Sequence, residues 1–371
     1  MSGETVLVTG GAGFIGRAVC AALLAQGARV RVLDALITQV HGEHGRPTAL
    51  SHNVEFQLGD VRDADAVRQA LHGVDSIVHL AAEVGVGQSM YAVERYTSVN
   101  ELGTAVLLEQ MIAHPVRRIV TASSMSIYGE GRYHDAAGRT RDDAVRLPEA
   151  LSARRWDPLD VDGSPLTPVP TPESKAPALA SVYAIGKYVQ ERMPLTVAGA
   201  YGMEAVALRL WNVFGPGQAL SNPYTGALAI FASRIANGAP PMIFEDGLQQ
   251  RDFVHVDDVA RAFVLALDTG AAAGGVFNIA SGQARTVLSV AADLATAMRG
   301  PETVDITNKG RAGDIRHCLA DIGAARATLG YAPREVFAER LVDLAEWVVS
   351  QDADDRVGAA TGELVSRGLV S

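Results

Sequence analysis

Gly10-Gly11-Ala12-Gly13-Phe14-Ile15-Gly16 is the stretch on which the fold turns. It separates a β-branched run, Thr5–Thr9, from a helical pattern, Ile15–Gln26, whose Ala18, Val19, Ala22 and Leu23 share one face. Glycines at 10, 13 and 16 meet three needs of a strand–turn–helix joint: a sharp turn, a backbone that a pyrophosphate can approach, and a helix packed close on its strand. The helix start also presents unpaired N–H groups and the positive end of its dipole to an anion. A glycine pattern by itself is only a tight turn; its context gives it weight. Asp34 ends the next apolar run, where an acid accepts hydrogen bonds from ribose hydroxyls. Ala35-Leu36-Ile37-Thr38 then carries no base to neutralise a 2′-phosphate, which favours NAD over NADP.

Outward from this joint, strands are expected at Arg29–Leu33, Val54–Leu58, Ser76–Leu80 and Arg118–Ala122, with helices at Ala64–Leu71 and Val99–Ala113. The alternation predicts βαβ units, and the continuous apolar runs predict parallel strands buried on both faces. The fold class is therefore α/β, a doubly wound Rossmann-type parallel sheet, with a smaller mixed α/β C-terminal lobe. From 130 to 178 the rhythm breaks. Prolines 148, 158, 165, 168, 170, 172 and 177 deny this stretch a period, and it reads as a long loop inserted into the first lobe. A helix follows over Val182–Ala200, which Pro194 is expected to kink or end early. The second half mixes strands (Ala205–Trp211, Val276–Ala280) with helices (Thr225–Asn237, Asp257–Asp268, Val287–Met298). The division expected is 1–200 for the cofactor domain, 201–350 for a substrate lobe whose strand 205–211 returns to the main sheet, and 351–371 for a loose Gly/Ala-rich tail.

Composition narrows the function. In 371 residues, 42 acids against 32 bases give a net charge of −10 and no long basic run, which argues against nucleic acid or an anionic membrane as partner. Apolar residues make up 48% and charged residues 20%, as in a folded soluble chain. Cys20 and Cys318 are the only cysteines, too few for a disulfide framework, and read as buried thiols. The first residues lack a basic leader region, and no run is long and apolar enough to span a bilayer, so the expectation is a cytoplasmic protein.

Tyr183-Ala184-Ile185-Gly186-Lys187 puts a phenol and an ammonium on one helix face. A tyrosine with a pKa of about 10 is a poor base at neutral pH. A neighbouring lysine cation and a positive nicotinamide ring favour its phenolate. It can then take a proton from a substrate hydroxyl while hydride leaves the same carbon. Ser124, after the fifth strand, stands at the C-terminal sheet edge where ligands bind in such folds. His41-Gly42-Glu43-His44 reads as a surface loop with no third ligand for a metal, and His255-Val256-Asp257-Asp258 as a helix start. No Gly-x-Ser-x-Gly elbow supports a hydrolase.

With Gly59-Asp60-Val61, His79-Leu80-Ala81-Ala82, Ser123-Ser124 through Ile127-Tyr128-Gly129, Leu208–Gly217, Gln250–Asp258 and Gly310–Asp314 in order, the chain resembles the extended short-chain dehydrogenase/reductase family, in its NAD-dependent epimerase/dehydratase branch acting on nucleotide sugars. The resemblance spans about residues 5–345 apart from the insert. It implies Ser124, Tyr183 and Lys187 as catalytic residues. It implies Gly10, Gly13, Phe14, Ile15, Gly16, Asp34, Asp60, Val61, Leu80, Ala81, Ala82 and Asn100, besides Tyr183 and Lys187, at the NAD site. Glu83, Ser124, Asn212, Phe244, Arg251, Arg311 and Asp314 fall to the sugar nucleotide. Arginines in bidentate reach suit a diphosphate held by an acidic protein.

Sugar 4,6-dehydratases of this branch carry an Asp-Glu pair after the catalytic Ser/Thr, where this chain has Met125 and Ser126. That leaves epimerisation at C4 as the expected reaction. An NDP-4-ketohexose reductase or NDP-sugar dehydrogenase is the alternative within the same chemistry, and a non-catalytic NAD-sensing protein the alternative outside it. The insert and the stretch Glu83–Tyr91 look like a subgroup that includes dTDP-L-rhamnose 4-epimerases, implying a dTDP- rather than a UDP-sugar. The cysteine pairs that some relatives carry in this insert are absent here. The resemblance also implies a homodimer packed through Val99–Ala113 and Val182–Ala200.

Overall fold

The computed structural model describes residues 1–42, 50–311, 313–351 and 354–370. Its centre is a seven-stranded, wholly parallel sheet. The strands are β1 (Thr5–Thr9), β2 (Arg29–Asp34), β3 (Val54–Leu58), β4 (Ser76–His79), β5 (Arg118–Ser124), β6 (Glu204–Leu210) and β7 (Val276–Ile279). Their spatial order is β7-β6-β5-β4-β1-β2-β3. The chain runs outward one way from β1, then returns and runs outward the other way, which opens a crevice at the C-terminal ends of β1 and β4. Strands β1, β4 and β5 are buried along their whole length, as continuous apolar runs demand.

Helices cover both faces. On α1 (Phe14–Ala25), Gly16, Val19, Cys20 and Leu23 recur at helical spacing and form the buried stripe. Truncating Leu23 to Ala would cost about 2–5 kcal/mol. Both cysteines are buried and free. The expected helix at Val99–Ala113 is a π-helical turn, Ser98–Leu102, running into α3 (Gly103–Ala113), with α2 (Ala64–Leu71) packed on it. Helix α4 (Val182–Ala200) is not ended by Pro194. Pro194 is buried on the face that packs along β5 and β6, and this packing offsets the lost backbone bond.

The insert is not a structureless loop. Arg132–His134, Thr140–Arg141 and Thr167–Thr171 form a four-stranded sheet with Leu319–Ala320, and Pro148–Ser152 is a helical turn. Pro168 and Pro170 sit two apart, so both missing N–H donors fall on one side of their strand. Ion pairs fix the insert to the second lobe: Arg316, 1% exposed, holds Asp157 of the insert at 2.7 Å. Arg146 of the insert pairs with buried Glu245 of the lobe. These partners lie far apart in sequence, so no local period announces them.

The second lobe packs α5 (Ala227–Ala236), α7 (Val287–Ala297) and α8 (Phe337–Val349) into their own apolar core, while α6 (Val256–Asp268) lies on α1. The expected loose tail is instead α9 (Val357–Ser366), with Val357 and Leu364 buried. Among the described residues, no helix is long and apolar enough to cross a membrane.

Candidate active site

Two cavities open at the C-terminal edge of the sheet. The larger, of about 1710 Å³, follows the glycine turn. Gly10 has φ +70°, and a Cβ there would lie 2.8 Å from the Ala81 nitrogen; one at Gly16 would lie 2.4 Å from the Gly10 oxygen. Only glycine fits either place, so the turn packs tightly on its own backbone and leaves the start of α1 open to an anion. Gly13 caps α1, and Phe14 and Ile15 follow it into the cleft. Asp34 accepts hydrogen bonds from the Ala12 and Leu36 N–H groups, each at 2.9 Å, which fixes its carboxylate at the cleft wall. His41 stands 3.6 Å from Asp34 and is buried in the cleft, so it is not the surface residue expected; Glu43 and His44 lie outside the described residues.

Asp60 and Val61 line the far end, with the Asp60 carboxylate accepting two hydrogen bonds from the Arg62 guanidinium, which hold its pKa below the usual range. Leu80, Ala81 and Ala82 line the middle. The residues present therefore fit a dinucleotide: a cradle for its phosphates, an acid for its ribose, and an apolar floor.

Asn100 touches neither cavity. It is fully buried, accepting from the Glu83 N–H at 2.7 Å and donating to the Glu83 carbonyl at 3.1 Å, so it positions the chain after β4. Glu83 itself is not brought to the sugar cavity. Arg95 takes both its carboxylate oxygens, at 2.8 and 2.7 Å, on the side of the larger cleft.

The second cavity, of about 440 Å³, lies between the sheet edge and the second lobe. Arg251 enters it, half-buried, with hydrogen bonds to the carbonyls of Gln250, Ile315 and Arg316 and no ion pair among the described residues. Burial lowers its pKa, the nearby carboxylates of Asp314 and Glu130 oppose the fall, and the guanidinium stays charged with no carboxylate in direct contact among the described residues. Asn212 also lines this cavity, and its buried Oδ1 has no partner. Arg311 bonds Asp314 at 2.8 Å and lies over the Phe244 ring at 4.4 Å. The insert backs this cavity without lining it: Arg146 reaches Glu245 and the Asp314 carbonyl.

Ser124 and Tyr183 line both cavities, and Trp211 with them. Ser124 ends β5, and its hydroxyl meets the Ser126 N–H and hydroxyl, each at 3.1 Å. Burial raises the Tyr183 pKa, while a hydrogen bond with Ser124 opposes the rise. Lys187, one helical turn on, is 4% exposed, and desolvation lowers its pKa to about 7. Its ammonium donates to Gln190 Oε1 at 2.8 Å. Gln190 in turn meets the Ala81 carbonyl and Thr104, and His79 ties Thr104 to Thr9. Sequence reasoning missed Gln190, although its place three residues after Lys187 puts both on one face.

Below the site, Glu191 pairs with Arg209 at 2.7 Å and accepts from Ser123 at 2.7 Å, which locks α4 to β5 and β6. A phenol, a hydroxyl and a buried ammonium thus converge where two ligand spaces meet, the arrangement needed to move a proton at a carbon that also exchanges hydride.

The model of the "NAD dependent epimerase/dehydratase family" matches residues 6–149 and 162–280. The chain is 36% identical, over 95% of its length and 96% of the relative's, to a dTDP-L-rhamnose 4-epimerase of Burkholderia thailandensis. Its fold is similar, with a TM-score of 0.76 and 31% identity, to UDP-glucose 4-epimerase of Thermotoga maritima with UDP-glucose, over 93% of this chain and 98% of that one. The Thermus thermophilus UDP-glucose 4-epimerase complex with NAD is similar at a TM-score of 0.74 and 29% identity, over 93% and 99%.

Proposed function

The chain belongs to the NAD dependent epimerase/dehydratase family and is an NAD-dependent nucleotide-sugar epimerase; we propose that it inverts C4 of a dTDP-6-deoxyhexose such as dTDP-L-rhamnose through a 4-keto intermediate. The observation that carries this reading is the meeting of the two cavities at Ser124 and Tyr183. The glycine turn and Asp34 would hold NAD, which would supply a reversible hydride acceptor at the sugar carbon. Tyr183 removes the proton of the C4 hydroxyl and later returns it, with Lys187 favouring the phenolate. Ser124 donates to the sugar oxygen. Arg251 and Asn212 hold the diphosphate while the hexose turns over, so the grip is remote from the reacting carbon.

Dehydration lacks its acid–base pair. Among the described residues lining the sugar cavity, the carboxylates are Glu245, paired with Arg146 and Arg316, and Asp314, paired with Arg311. Neither is free to eliminate water. The dTDP-L-rhamnose 4-epimerase relative supports the choice of base and sugar. A homodimer through the α4 face and the π-helical turn that leads into α3 is supported by Leu102 and Ile185, apolar yet 53% and 42% exposed.

The test is to incubate the purified protein with dTDP-L-rhamnose and, separately, UDP-glucose, without added NAD. Proton NMR follows C4 configuration, and absorbance follows reduced nicotinamide. Inversion of the dTDP-sugar without net reduction is the expected result. Net reduction on adding NAD would make the enzyme a dehydrogenase, and inversion of UDP-glucose alone would reassign the nucleotide.

A further inference from the structure

Helix α9 carries Val357, Ala360, Thr361 and Leu364 at i, i+3, i+4 and i+7, a single face, and all four line the smaller cavity. Its other face, with Gly358, Ala359, Gly362 and Val365, is exposed. The helix is tied down on both sides of the crevice. On the lobe side, Asp354 receives the Ser233 hydroxyl and donates to Ser221, and Arg234 meets Asp355 at 3.3 Å. On the sheet side, Arg367 lies over the Tyr91 ring at 4.4 Å, and Tyr91 meets Tyr224 at 2.7 Å.

The location of the contact decides which part of a ligand the helix would meet. A Cβ on Gly87 would lie 3.3 Å from Leu364, so the leucine rests directly on the loop that leaves β4. That loop, with Val84 and Val86, lines the cavity beside Ser124 and Tyr183, at the reacting end. The wall that α9 offers is aliphatic except for one hydroxyl, Thr361.

We propose that the Val357–Leu364 face of α9 is a specificity wall for the hexose, admitting a methyl at C6 in preference to a hydroxymethyl. This rests on the nucleotide-sugar reading above. A hydroxyl set against the Leu364 and Val357 side chains loses water and meets no polar atom of theirs, whereas a methyl loses nothing.

The test compares holoenzyme affinities, by calorimetry, for dTDP, dTDP-L-rhamnose and dTDP-L-mannose, the last two differing only by the oxygen on C6. Wild type should prefer the 6-deoxy sugar by about 10- to 100-fold, the discrimination an apolar pocket achieves against an added hydroxyl. Leu364→Ser should bring that ratio towards one. Ala360→Phe, which fills the space from the same face, should weaken both sugars at least tenfold and leave dTDP unchanged. NAD affinity in each variant reports that the fold is intact, because α9 does not line the larger cleft. A wild-type ratio near one, or variants that keep the wild-type ratio and affinities, would overturn the wall alone. Wild type that binds neither sugar nucleotide would overturn the functional reading, and the wall with it.

Discussion

Around the larger cleft one wall is backbone, the glycine turn after β1, with side chains from the ends of β2 and β4 beside it; the smaller cavity is gathered from the loop after β4, the second lobe and α9. The first is a local solution. Gly10 and Gly16 admit no side chain, and Asp34 is fixed by the N–H of Leu36, two residues on, and by that of Ala12 in the glycine turn itself. The second is an assembly of distant parts, in which Arg251 is aimed by carbonyls at 315 and 316, and Arg146 of the insert holds the neighbouring Asp314 carbonyl. Constant chemistry is served by backbone, which tolerates no substitution. Choice of sugar is served by side chains, which can change one at a time.

The sharpest test of this contrast lies at the junction. Tyr183→Phe keeps the helix and both cavities but removes the proton acceptor; turnover should fall by about 10³-fold or more while NAD and sugar-nucleotide affinities hold. Activity within tenfold of wild type would sink the assignment.

Lys187 gives the next largest effect, in the cofactor-free chain. Its folded pKa of about 7 lies below the unfolded value of about 10.4, so between them the folded state binds fewer protons and stability rises with pH. The buried cation costs on the order of a few kcal/mol below pH 7 and nothing above the unfolded pKa. Lys187→Met should therefore melt higher than wild type at pH 6, with the gap closing as pH approaches 10. A gap that does not change with pH would show that the ammonium is solvated.

Two smaller effects separate the halves. Arg251→Ala should weaken the sugar nucleotide by about 10- to 100-fold, the worth of one charge-assisted contact, and leave NAD affinity alone. Asp34→Ala should do the converse, weakening NAD by about tenfold with sugar-nucleotide affinity kept. If either substitution moved both affinities equally, the division between backbone cleft and side-chain cavity would fail.

The same contrast explains what was legible. Strands and helices around the glycine turn fall within a residue or two of expectation because each carries its own period: β1, β3, α2 and α4 match to the residue. The places of Ser124 at a strand end and of Tyr183 and Lys187 on one helix were readable because helix spacing and strand ends are local facts. The insert was not, since its sheet pairs Thr167–Thr171 with Leu319–Ala320 across the chain, and prolines masked its strands. Helix α9 was hidden by its small residues, although its apolar spacing was in plain view. The turn of Glu83 towards Arg95 is tertiary, and nothing in the stretch Glu83–Tyr91 foretells which acid is already taken.

The strand order carries a consequence for biogenesis. A ribosome delivers β1 to β5 first, yet the outer neighbours of β5 are β6 and β7, encoded beyond residue 200. Until residue 210 has emerged, β5 presents an open row of N–H and C=O groups, the kind of edge that pairs with the wrong chain. A gene cut at residue 200 would therefore yield a sticky fragment that chaperones must hold, whatever its complement of cofactor residues.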